Sequence, residues 1–370
     1  MPFVAVPKDL PSSPKGIGEK GLPPWNLPIE AQAEWWTRHV GGEAYRFRQF
    51  RDWVYGKFTL DPAAMGNLPA DVRRRLGEAY TPVLAPVERR EACDGSAHKI
   101  VFSCRDGARL ESVLLRSGER RTVCLSTQIG CAMGCRFCHT GLYGLKRNLE
   151  SSEIVEQVLR ISGGEGGRVS NIVVMGMGEP MHNYANLMQA LRVLNHPEGA
   201  GIAARRITIS TSGVPKGILK LAEEPEQWGL AVSLHAPEDR LRAQLMPVNR
   251  AMPIARLMEE VDDYLKKTGR RVTFEYILLE GVNAGPEQAR LLAKLLRGRL
   301  CHVNLIPYNP VPALPFRSAP MEACRAFQDE LEAVGVACTI RHGRGRDILA
   351  ACGQLAHRDP AAVAGASEKV

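Results

Sequence analysis

The sequence predicts an α/β protein: a parallel sheet, open or closed into part of a barrel, behind a small helical domain. Three observations carry this. From about residue 121 onward, six short apolar runs alternate with amphipathic stretches, the pattern of parallel strands joined by helical crossovers. Ahead of them, Phe47, Phe50 and Val54 fall at helical spacing among arginines. Polar and glycine-rich segments then stand directly at or after the ends of the apolar runs, where such folds collect their chemistry.

Taken in order, residues 1–28 carry seven prolines among Gly, Ser and Lys and read as an extended or disordered lead. Residues 29–85 read as a helical accessory domain, in which Phe47, Phe50 and Val54 form a core stripe and Pro69 opens a helix through Arg73, Arg74, Arg75 and Leu76. Residues 86–120 read as a β connector with strands at Lys99–Phe102 and Ser112–Leu115. The alternating region spans 121–345. Its strands are expected at Val123–Ser126, Ile172–Met175, Arg206–Ser210, Leu230–Leu234, Val272–Leu278 and Val303–Ile306. Its helices are expected at Glu153–Ile161, Pro253–Lys266 and Pro286–Leu296; a further helix (Met321–Val334) and strand (Ala337–Arg341) precede a tail at 346–370. With 45% hydrophobic and 24% charged residues in 370, the chain can bury a large core, which excludes disorder throughout. No run approaches the ~18 apolar residues of a membrane span, and the opening has no secretory h-region. The net charge of +8 permits a polyanionic partner.

The ten cysteines are bunched rather than spread, which favours reduced thiols in the cytoplasm over a disulfide framework. Cys131, Cys135 and Cys138 have the spacing C-x3-C-x2-C in a loop after the first strand of the alternating region. Three thiolates so placed suit one soft metal centre. A zinc site would need a fourth ligand, for which Cys124 and His139 are candidates. A cubane iron–sulfur cluster held by only three cysteines leaves one iron open, as catalysis requires, and this reading fits best.

At this loop the sequence resembles the radical S-adenosylmethionine (SAM) enzymes, whose fold is a partial (β/α)6 barrel. That resemblance implies one 4Fe–4S cluster on Cys131, Cys135 and Cys138, with SAM bound at the open iron. It also implies that Gly178 and Glu179 hold the methionine amino end, and that Ser210, Ser233, Leu234, His235 and Asn309 line the cofactor. The segments Thr122–Gly130, Met175–Pro180, Leu245–Asn249 and Asn304–Pro310, with Phe47–Tyr55, Met65–Pro69 and the Cys352 tail, narrow it to the RlmN/Cfr family of RNA adenine methyltransferases. The resemblance covers about Tyr45 to Leu355. It implies that Cys352 carries an S-methyl intermediate and that Cys124 resolves the RNA adduct through a transient disulfide. Glu111 would accept the ring proton, and two SAM molecules would be used per turnover.

Pro180, Ser212 and Pro307 side with members that methylate adenine C2 rather than the Cfr-type C8. The implied substrates are an adenosine in the peptidyl-transferase centre of 23S rRNA and the adenosine beside the anticodon of certain tRNAs. An external, flavodoxin-type electron donor, a monomer and no membrane complete the expectation. Candidate RNA contacts are Arg73–Arg75, Arg205–Arg206, Arg270–Arg271 and Arg341–Arg346, the last ranked first because it adjoins Cys352. The competing readings are a C8 methyltransferase and, from another class, a non-catalytic zinc-binding RNA protein with Cys124, Cys131, Cys135 and Cys138 as ligands.

Overall fold

A computed structural model describes residues 21–355 except Gly166 and His342. The expectations for 1–20 and 356–370 therefore lie outside the described residues. The lead expected to reach residue 28 gives way to packed structure by Trp25, which is fully buried in a short 3-10 turn, Pro24–Asn26. Three helices follow: α1 (Ile29–His39), α2 (Ala44–Arg51, continued by a π turn at Asp52–Gly56) and α3 (Ala70–Ala79), with Pro69 at the N-cap of α3. Phe47, Phe50 and Val54 are all buried, and the two phenylalanines pack on Trp36. The aromatic stripe is core, as its spacing predicts.

A buried carboxylate is one of the ties between this domain and the rest, beside the shared apolar core. Glu156 on α4 (Ser151–Gly164) accepts the Trp25 indole N–H at 3.0 Å and the amides of Val83 and Leu84 at 2.8 and 2.9 Å. Burial lifts its pKa to about 7, against the pull of those donors and of Arg160.

The strands β1 (Leu84–Glu91), β2 (Ala97–Cys104) and β3 (Arg109–Ser117) form an antiparallel meander, and β3 pairs antiparallel with β4 (Arg120–Cys124). A small hairpin, β5 (Gln128–Gly130) and β6 (Leu145–Asn148), leaves the sheet and frames the cysteine loop. It is absent from the sequence expectations because strands this short leave no readable alternation. A Cβ at Gly130 would overlap the Gly144 carbonyl, so only glycine allows this pairing.

The chain then alternates β7 (Asn171–Val174), α5 (Tyr184–Asn195), β8 (Ile207–Thr211), α6 (Gly217–Glu223) and β9 (Gly229–Ser233). It continues through α7 (Asp239–Leu245), α8 (Ile254–Thr268), β10 (Val272–Leu278), α9 (Pro286–Leu296), β11 (Cys301–Pro307), α10 (Met321–Glu332) and β12 (Cys338–Ile340). All ten strands other than the hairpin form one sheet, in the order β1-β2-β3-β4-β7-β8-β9-β10-β11-β12, parallel from β4 onward. The expected strands and helices lie where the apolar runs place them. The stretch expected as a separate β connector is instead the antiparallel flank of the same sheet, since short turns keep successive strands paired. One cavity is lined from both flanks, by Val113 and Cys124 on one side and Ile306 and Ile340 on the other, so the sheet curls into a partial barrel around it.

Because the Glu156 pKa lies above its unfolded value, the folded state binds the extra proton, and stability falls as pH rises from about 4.5 through 7. We expect the stability deficit of Glu156→Gln relative to the parent to shrink by roughly 2 to 3 kcal/mol between pH 4.5 and 8 in denaturant titrations. A deficit independent of pH would show that this carboxylate does not titrate in that window.

Candidate active site

The exits of the parallel strands converge on the cysteine loop. Cys131, Cys135 and Cys138 are half-buried on it, and Gly134 turns the chain with a positive φ of 62°. Burial pushes the Cys131 thiol up to about 12 and the Cys135 thiol well above its usual range, each helped by the neighbouring thiols and by Glu179. Such a loop holds thiolates comfortably only around a cationic centre. Among the described residues, no three His, Cys, Asp or Glu side chains close on one point as a single ion needs. A cubane instead spreads its thiolates over different irons.

Beside the loop runs the segment after β7. A Cβ at Gly176 would lie 2.5 Å from the Leu125 carbonyl oxygen, and one at Gly178 (φ 103°) would lie 2.6 Å from the Gln128 Cβ. The bare backbone lets this segment lie against the exit of β4. The amide of Met177 donates to Ser126 Oγ, and that of Glu179 donates to Gln128 Oε1. The Glu179 carboxylate is buried, with Oε2 accepting Ser212 N at 2.8 Å and Ser212 Oγ at 2.7 Å, and Oε1 accepting Met181 N. Ser210, expected as a cofactor contact, sits on β8 on the same face as Thr208, which lines the cavity.

At the end of β9, Ser233 and Leu234 lead into His235, a non-glycine residue with φ 57°. His235 Nδ1 accepts the Ile277 amide at 3.0 Å, which leaves any ring proton on Nε2. Burial, with the charge of Arg242, lowers its pKa to about 3, so the ring stays neutral; the ring packs edge-on with Phe137 from the cysteine loop at a centroid distance of 4.7 Å.

Cys124 and Cys352, far apart in sequence, line one cavity of about 440 Å³ with Asn309 and Glu275. Cys124 is buried, and its thiol is pushed up by burial and then by Cys352. Cys352 opens into the cavity yet is walled by protein, which raises it to about 11, with Glu275 adding to the rise and Arg341 opposing it. Asn309, expected to line the cofactor, uses its amide on the tail, with Nδ2 donating to the Cys352 carbonyl at 3.3 Å and Oδ1 accepting Arg346 Nε at 2.7 Å.

Glu111 is buried rather than exposed, two residues along β3 from Val113, the register partner of Cys124. Lys99 Nζ lies 3.3 Å from its Oε1 and donates to the Leu349 carbonyl at 3.2 Å, tying this carboxylate to the Cys352 tail. His139 also serves the tail: its amide donates to Gly353 O at 2.8 Å, Nδ1 meets Gln354 O and Nε2 meets Tyr143 Oη. Neither His139 nor Cys124 is thus placed as the fourth ligand of the zinc reading.

Comparison with known proteins identifies the chemistry. Residues 125–293 match the family described as the Radical SAM superfamily. A probable dual-specificity RNA methyltransferase RlmN of Geobacillus thermodenitrificans is 45% identical over 349 residues, 92% of this chain and 95% of that one. A Thermus thermophilus protein of the same description is 45% identical over 323 residues, 86% and 91% of the two chains. The crystal structure of a radical SAM methyltransferase from Sphaerobacter thermophilus matches with a TM-score of 0.85 at 46% identity, covering 89% of this chain and 98% of that chain. The chain belongs to the RlmN family of radical SAM RNA methyltransferases. It is accordingly an enzyme that uses a 4Fe–4S cluster and SAM. The residues present fit this RlmN-family pair: three thiols on one loop, with a buried carboxylate and a neutral histidine beside them.

Sequence reasoning missed four residues here. Ser212 holds the Glu179 carboxylate. Lys99 is legible only as a cation inside an apolar strand. Arg120 lines the cavity with Arg205, Arg206, Arg341 and Arg344. Arg242 is fully buried. Of the other expected basic clusters, Arg74 and Arg75 pair with Glu78 and Asp71 on their own helix, and Arg270 donates to the Glu226 and Trp228 carbonyls.

Gly178→Ala combines a strained φ with an overlap and should cost about 3 kcal/mol, whereas Gly281→Ala (φ 68°, open space) should cost about 1 kcal/mol. Urea denaturation measures both. Equal losses would mean that close approach is not what constrains Gly178.

Proposed function

We propose that this enzyme methylates C2 of an adenosine in 23S rRNA and of the adenosine beside the anticodon in tRNAs, with Cys352 as the methyl carrier. The observation that carries this reading is the meeting of Cys124 and Cys352 in one cavity inside the curled sheet. A base carbon flanked by two ring nitrogens is electron-poor and does not attack a sulfonium methyl. Polar transfer from the sulfonium is thereby closed, and a methyl carried on a protein sulfur and activated as a carbon radical is a route that fits the two thiols of the cavity. The arginines of the cavity favour an RNA substrate, and the printed description of the relatives as dual-specificity RNA methyltransferases favours both RNA classes.

In this reading Cys131, Cys135 and Cys138 hold the cluster, while Gly178, Glu179, Ser233, Leu234 and His235, with Ser210, form the SAM pocket. Glu179 faces the methionine ammonium, and the neutral His235 supplies an N–H donor without adding charge. The cluster and SAM together supply the radical that removes hydrogen from an S-methyl group. Cys352 would lose its thiol proton and take the methyl of a first SAM at sulfur by displacement, the sulfonium S–CH3 bond breaking and S-adenosylhomocysteine leaving. The carbon it carries then bonds to the adenine ring, and Glu111 receives the ring proton. Cys124 gives up its thiol proton and attacks the Cys352 sulfur; the S–C bond breaks, the released carbon takes up a proton to become the methyl group, the surplus electron passes back to the reductant side, and a disulfide remains. Two electrons from an external thiol or reductant restore the pair.

Asn309, Lys99 and His139 hold the Cys352 loop in place for this sequence. The target base must be flipped out of its RNA to reach the cavity. An external flavodoxin-type donor supplies electrons to the cluster, and the enzyme works in the cytoplasm as a monomer. Pro180, Ser212 and Pro307 support C2 over C8.

Mass spectrometry of digested rRNA and tRNA after reaction should find 2-methyladenosine; 8-methyladenosine as sole product would overturn the site of attack. Cys352→Ala should lower methyl incorporation by at least about 10³-fold, the scale of losing a covalent nucleophile. Cys124→Ala should accumulate a covalent enzyme–RNA adduct on denaturing gels; normal turnover by that variant would refute the division of labour between the two thiols.

A further inference from the structure

Arg242, on α7, is fully buried, and all three of its guanidinium nitrogens donate within the protein. Nε donates to Leu234 O at 3.1 Å, and Nη1 to Asn249 Oδ1 at 2.8 Å and Met252 O at 3.3 Å. Nη2 donates to Ser212 O at 2.7 Å and Ser233 O at 3.1 Å. The fork therefore clasps the exits of β8 and β9 and the loop after α7. It has no donor left for a ligand.

None of the five acceptors carries charge. The carboxylate that reaches it electrostatically, Asp239, is exposed, and its Oδ1 accepts from Asn249 Nδ2 and the Ile254 amide. A guanidinium enclosed by neutral carbonyls is strongly unfavourable unless an anion stands nearby. The cysteine loop packs on this clasp: the Arg136 amide donates to Leu245 O, the last residue of α7, at 2.9 Å, and Phe137 packs edge-on with His235, next to the Leu234 carbonyl that Arg242 holds. A cubane on three thiolates carries net negative charge that grows on reduction.

We propose that Arg242 is the buried counter-charge of the iron–sulfur centre, a fixed cation against which the cysteine loop packs and which favours the reduced cluster. Through Ser212 it also positions Glu179: Arg242 holds the Ser212 carbonyl, and the Ser212 amide and hydroxyl hold the carboxylate. Glu179, whose amide is held by Gln128 on the hairpin that carries the cysteine loop, adds a group of opposite sign, so the two residues bracket the cluster's potential between them. This inference rests on Cys131, Cys135 and Cys138 being the cluster ligands.

The test is an EPR-monitored redox titration of the anaerobically reconstituted full-length enzyme without SAM. At a fixed poise, Arg242→Gln should lower the reduced-to-oxidised ratio about tenfold, which is about 59 mV for one electron. Arg242→Lys keeps the charge and should hold the ratio within about twofold of the parent. Glu179→Gln should raise it about tenfold. An unmoved midpoint in Arg242→Gln with a full complement of iron overturns the proposal. Should that variant fail to fold, an unmoved or lowered midpoint in Glu179→Gln overturns it instead. Iron and sulfide analysis separates the underlying assignment: a parent protein that binds no cluster, or a Cys135→Ala variant that keeps it unchanged, refutes the ligand set.

Discussion

The close passage of the backbone at 176–179 against the exit of β4 is the constraint on which the site depends. Gly176 donates to Leu125 O at 2.8 Å, and Thr127 donates to Met177 O at 2.8 Å. Side chains at Gly176 and Gly178 would push these segments apart. With them in contact, Cys124 stays at the end of its strand facing the lumen, the β5–β6 hairpin carries the cysteine loop away from the sheet, and Glu179 ends beside that loop. Three chemical components are thereby fixed relative to one another by main-chain contacts rather than by flexible side chains.

The second organising feature is the return of the tail. Cys352 comes from beyond the last strand and is brought to Cys124 by anchors drawn from separate parts of the chain. Lys99 on β2 reaches Leu349, Asn309 after β11 reaches Cys352, and His139 and Thr140 of the cysteine loop reach Gly353, Gln354 and Leu355. The cysteine loop and the tail thus brace each other. Leu349 adopts φ 53°, a conformation that a leucine avoids unless its surroundings impose it.

Electrostatics complete the site. Low-dielectric surroundings raise the thiols and hold His235 neutral, while the Glu179 carboxylate and the Arg242 guanidinium are held by hydrogen bonds on the strand-end loops. In water these charges would be screened and weak. Packed behind the cysteine loop they form a lasting field, already in place before any cofactor binds.

The sequence by itself determined the parallel strands from Val123 onward, the helices between them, the aromatic core of the helical domain and the C-x3-C-x2-C loop. Each of these is local, written in the spacing of apolar residues and thiols. Resemblance of several short motifs then singled out Cys124 and Cys352. Only the tertiary structure decided that residues 86–120 flank the main sheet, that Glu111 is buried against Lys99, that Ser212 holds Glu179, and that Arg242 is enclosed. An arginine on an amphipathic helix reads as solvated, and a glutamate in a strand reads as exposed, because burial depends on what packs over a residue from elsewhere in the chain. Periodicity records which face of an element turns inward; it does not record which other elements meet that face, and every one of these residues takes its role from that meeting.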